Sequence, residues 1–219
     1  MKAETADGIR RRGAAACLLA APALLLAGDA LRYWPDAERA GLVISKLSVA
    51  LFVGAALGVV GLTRGRADGA GLLGGALAVV GCLAGSGIVT AGAIIQSLND
   101  AALGEAAEQA VRASMLKSGV FGYIFLYPLP GLAFPVGFIV LAYALWRSRA
   151  ASTAAALLVA LGALLFPVGR IGNVEAAVFG SGLAFTLGMA LVALRLLGRN
   201  GLEYFYSRPT PSASATRLI

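Results

Sequence analysis

The chain has 219 residues, of which 59% are hydrophobic and only 13% charged, with mean hydropathy +0.83 and a formal net charge of +7. A soluble domain carries about 25% charged residues, so this chain has too little polar surface to cover itself in water, and a polytopic membrane protein is the expectation. The absence of histidine removes His-ligated haem, His-based zinc sites and every hydrolase that uses histidine as its base.

In chain order, six apolar runs each approach the roughly 20 residues that cross a bilayer. They cover about 13–31, 42–62, 70–95, 119–146, 152–168 and 174–196. The reading is an all-α integral membrane protein, a bundle of six transmembrane helices. A cytoplasmic N-terminus (1–12) precedes the transmembrane domain (13–197), and a partly disordered cytoplasmic tail (198–219) follows it. Lys2 to Arg12 before a short apolar run also fits a signal peptide, with Gly28-x-Ala30 as a weak cleavage site. The two cysteines, Cys17 and Cys82, lie in apolar runs without a CxxC spacing and read as structural thiols.

Charge sets the direction. Lys2, Arg10, Arg11, Arg12, Arg64, Arg66, Arg147, Arg149, Arg195, Arg199, Arg208 and Arg217 fall on one side of the six-span scheme. The other side carries the remaining basic residues and most of the acidic ones. The positive-inside rule then places both termini in the cytoplasm, and the expected location is a bacterial cytoplasmic (inner) membrane. The basic excess is an orientation signal, so nucleic acid is not an expected partner.

The second and third runs carry small-residue patterns. Gly54 and Gly58 are four apart, and Gly74, Ala78, Gly81, Gly85 and Gly92 share one helical face. Such stripes let a neighbouring helix lie against the backbone, within the chain or across an oligomer. After the third run, Ser97 and Asp100 resemble a helix start. The following segment through Ser114 alternates apolar and charged faces, which predicts an interfacial helix on the outer side between spans three and four.

The fourth and fifth runs share the word FPVG, at Phe134–Gly137 and Phe166–Gly169. Counting at 1.5 Å per residue puts both copies at similar depth, on antiparallel neighbours. Pro128, Pro130, Pro135 and Pro167 are read as helix breaks that free backbone carbonyls, which lipid tolerates only beside protein or a water-filled cavity. The polar residues Asp29, Ser86, Thr90, Gln96, Tyr123, Tyr127, Arg170, Asn173 and Glu175 fall in the same outer half. Ionisable groups there are functional candidates. Together these predict an outward-facing polar vestibule between spans three to six.

Three functions fit: binding or transport of a small solute or lipid through that vestibule; an accessory, immunity-type or partner-binding membrane subunit; and a membrane enzyme acting at the outer leaflet. No paired DxxxD, P-loop or GxSxG beside a base supports catalysis. The reading therefore leans away from an enzyme, names no catalytic or metal-ligating residue, and requires no cofactor. The expected partners are the lipid bilayer, a small-molecule ligand, and a second copy or another membrane subunit.

Overall fold

Charged and turn-forming residues divide the chain into helices whose ends are set by local chemistry. The computed structural model describes residues 6–34, 36–100, 106, 109–110, 113–114 and 128–198. Among them the chain forms six helices and no strand: α1 (Ala6–Leu31), α2 (Glu38–Thr63), α3 (Asp68–Asp100), α4 (Pro128–Arg147), α5 (Thr153–Ile171) and α6 (Glu175–Leu197). Five of them (all but α4) are long and apolar enough to cross a membrane. The apolar part of α4, Leu132–Arg147, is shorter, and residues 119–127 of the expected fourth span lie outside the described residues. So do the tail from 199, and most of the segment read as an interfacial helix. Ser97 does not start that helix. It lies inside α3, where its hydroxyl donates to the Ala93 carbonyl at 2.9 Å, because a serine in mid-helix satisfies itself one turn back.

The helix ends show why the breaks fall where they do. Asp68 opens α3 and its carboxylate accepts from the Gly65 amide at 2.6 Å. Ser152 caps α5 by accepting from the Ala155 amide at 3.2 Å. Arg149 takes a left-handed φ of 58° after α4. The Ala150 amide there donates to Leu145 O and the Arg149 amide to Trp146 O, each at 3.1 Å, which is a Schellman ending. Glu38 and Glu175 lie in the first turns of α2 and α6, where a carboxylate meets the positive end of the helix dipole.

Consecutive helices pack side by side, α6 closes the ring on α1, and α2 touches α4 across the middle. Consecutive helices run antiparallel, so α2 and α4 run parallel. Gly58 and Gly54 face Ala14 and Cys17 of α1, whereas Gly41 faces Gly28. Both glycines of the α2 pattern therefore serve α1 within the same chain. The α3 stripe is shared between two neighbours. Gly74 and Gly81 lie against the backbone of α4, while Gly85 and Gly92 face only the side chains of Val49 and Leu42 on α2.

The core is a phenylalanine cluster. Phe52 of α2, Phe134 and Phe138 of α4, and Phe185 of α6 contact one another with ring centroids 4.8–5.9 Å apart. Phe166 of α5 joins through Phe134 at 4.7 Å. Such tilted and edge-on pairs are the favoured aromatic geometries. The outer surface is also apolar, with Leu57, Leu72, Leu157 and Leu194 each about 60% exposed (59%, 60%, 64% and 62%) on four different helices. A bundle apolar inside and around its circumference is built for lipid rather than water.

Candidate functional site

The FPVG words meet at the centre. Phe134 and Phe166 stack on each other, and the glycine of each word docks its helix on a neighbour. A Cβ at Gly137 would sit 2.8 Å from Ala78 Cα on α3, and one at Gly169 would sit 2.6 Å from the Val178 amide nitrogen on α6. The prolines do not interrupt the helices. Pro128 and Pro130 fall in the first turn of α4, where the missing amide has no helical partner to lose. Pro135 and Pro167 lie inside continuous helices. At the level of the repeated word the axis is therefore filled by rings.

Above the rings, at the end where α1, α3 and α5 finish, the polar residues gather. Asp29 is buried near the end of α1, and Arg170 stands one turn beyond Phe166 on α5. The Arg170 Nη2 donates to Asp29 Oδ2, and the two form an ion pair across 141 residues of sequence. The guanidinium carbon also lies 4.2 Å from the centre of the Phe166 ring, a cation–π seat. Sequence reasoning named Asp29 and Arg170 but not Phe166. The signal was present, because residues four apart share one helical face.

The guanidinium is not saturated. Its Nη1 is buried with no hydrogen-bond partner among the described residues, and so are Ser45 Oγ and Gln96 Oε1 toward the same end of the bundle. Ser45 lies against Gly28, one residue before Asp29. Thr90 is engaged: it accepts from Lys46 Nζ at 2.9 Å and donates to the Ser86 carbonyl at 2.8 Å. Ser86 thus enters through its backbone.

Asn173 and Glu175 are exposed and do not join the pair. Asn173 has φ 52°, and the amide after it, Val174, donates to Gly169 O at 3.1 Å. It is the left-handed residue that ends α5, a position where asparagine is second only to glycine. Asn173→Gly should therefore leave the unfolding midpoint unchanged or slightly raised. Asn173→Val should cost about 1–2 kcal/mol, the strain of a branched residue in that region. Equal effects of the two, read by thermal unfolding, would return Asn173 to the candidate ligand set.

Tyr123 and Tyr127 lie outside the described residues. No group of three or more His, Cys, Asp or Glu side chains capable of holding a metal occurs among those described. The chain matches no family model, no curated protein and no solved structure.

Proposed function

We propose that this is a six-span membrane protein, with both termini on the cytoplasmic side, that binds a small acidic solute or headgroup at Arg170. The reading counts the apolar run 119–146 as its fourth span. The observation that carries the reading is the state of the Arg170 guanidinium. It is held by Asp29 on one nitrogen and by Phe166 on its face, while the other terminal nitrogen is buried without an acceptor among the described residues. An unmet buried N–H costs about 1–3 kcal/mol, more on a charged group, and a carboxylate or phosphate oxygen is its natural complement. Asp29 fixes the orientation of the guanidinium before the ligand arrives, so little ordering remains to oppose binding.

The rings beneath the pair favour binding over open conduction. Any path along the axis would first have to displace Phe134 and Phe166. Transport would then require a second arrangement of α4 and α5, with the FPVG glycines as close contacts that must part.

The test is thermal unfolding of the purified, detergent-solubilised protein against panels of small carboxylates, phosphates, amines and cations. A ligand at 100 times its dissociation constant adds about 2.7 kcal/mol to stability. The expected result is a shift with acids alone. It should fall sharply in Arg170→Lys, which keeps the charge but loses the planar fork. No shift with any acid would overturn the reading and favour a partner-binding membrane subunit.

A further inference from the structure

A second polar feature lies at the opposite end, in the turn from α2 to α3. A groove of about 300 Å³ opens there, lined by Val60, Arg64, Asp68 and Leu72. This volume is at the lower limit for a small-molecule site. We propose that this groove holds a phospholipid whose headgroup ends in a primary ammonium, with the phosphate on Arg64 and the ammonium on Asp68. The inference rests on the membrane placement of the bundle and is independent of the Arg170 site.

The order of the lining residues carries the argument. Arg64 caps α2 and Asp68 opens α3, so both charges stand at the helix ends. Val60 is one turn back along α2 and Leu72 one turn into α3. Leu72 is 60% exposed. Charge at the rim with apolar wall one turn deeper is the order in which a phospholipid presents headgroup and acyl chain. Within the lining one cation stands beside one anion, and the other arginine of the turn, Arg66, donates to the Ser148 carbonyl at 3.4 Å, so the charge pair in the groove matches a zwitterionic headgroup. The carboxylate then selects among zwitterions. A primary ammonium offers three N–H donors, whereas a quaternary choline offers none.

The turn holds the two charges in place. Gly65 has φ 84°, and its amide donates to Asp68 Oδ1 at 2.6 Å. A Cβ at Gly65 or Gly69 would meet nothing within 4 Å, so the rim is open on both sides.

The experiment is a lipid titration of the full-length, detergent-purified protein with phosphatidylethanolamine, phosphatidylcholine and phosphatidylglycerol, read as apparent affinity and unfolding midpoint. Phosphatidylethanolamine should bind tightest. Asp68→Asn keeps an oxygen for the Gly65 amide and removes only the charge. It should weaken phosphatidylethanolamine roughly tenfold, the loss of one charge-assisted hydrogen bond, to the level of phosphatidylcholine, with the lipid-free midpoint lowered only slightly by the lost charge in the first turn of α3. Arg64→Ala should weaken all three lipids. Soluble glycerophosphoethanolamine should not compete at equal concentration, because it lacks the chain that lies along Leu72. Equal affinity for the three lipids, tightest binding of phosphatidylglycerol, or an ethanolamine preference that survives Asp68→Asn would each overturn the proposal.

Discussion

Gly81→Ala should separate α4 from α3. A Cβ at Gly81 would overlap the backbone nitrogen and Cα of Phe134 and come within 2.5 Å of its Cβ. None of these atoms is the end of a flexible side chain, so the clash has no local remedy. Overpacking costs about 1–3 kcal/mol, occasionally more, and this position should lie at the upper end of that range. The displaced residue is Phe134, which touches Phe52, Phe138, Phe166 and Phe185, so the loss should spread through the core. Gly85→Ala is the internal control. Its nearest neighbour would be Val49 at 3.8 Å, an ordinary contact, and alanine favours helix by about 1 kcal/mol over glycine. Denaturant unfolding in detergent should rank Gly85→Ala at or above wild type and Gly81→Ala well below it. The thiol of Cys82, beside Gly81 and 1% exposed, should label rapidly in Gly81→Ala and slowly in the control. Equal stability of the two variants would show that the α3–α4 contact is looser than described.

The second large effect concerns the ion pair. Asp29→Ala and Arg170→Ala should each lower unfolding stability by about 3–5 kcal/mol, because each strips an enclosed charge of its hydrogen-bonded ion-pair partner. The side chains are 4% and 24% exposed, respectively, so water screens Asp29 little. The double variant should lose less than the sum, with a coupling energy of about 2–3 kcal/mol. It removes both charges together, and burying two neutral side chains carries no charge-desolvation penalty. Additivity within about 0.5 kcal/mol would mean that the residues do not act as a pair.

The six helices were legible because apolar runs and charged breaks differ strongly in composition. Their ends moved outward, α2 to Glu38 and α3 to Asp100, because helix hydrogen bonding continues past the last apolar residue. Rotation about the helix axis was not legible. Counting placed both FPVG words at one depth, but depth alone does not say whether Phe134 and Phe166 face lipid, a cavity or each other. The prolines were read as breaks on the strength of the lost amide, and the structure carries α4 and α5 through Pro135 and Pro167. The glycine stripe of α3 was likewise read as one face for one neighbour. Its turns drift enough that α4 receives Gly74 and Gly81 while α2 receives Gly85 and Gly92. Asp29 and Arg170 were both recognised as polar residues at one end. Pairing them needs the ring to close α6 onto α1, and nothing in the local sequence announces that closure.

That pairing has a bearing on biogenesis. In a chain made N-terminus first, Asp29 emerges long before Arg170, 141 residues later. At 5–20 residues per second the interval is roughly 7–28 s. On the six-span reading, α1 must wait in the bilayer with a carboxylate near its end that has only the nearby charge of Arg32 and lacks its hydrogen-bonded partner. The partner that relieves it arrives only with the α5–α6 hairpin. The last hairpin to be made is then the one that commits the first helix, and a chain truncated before Arg170 should leave α1 loosely held and open to membrane quality control.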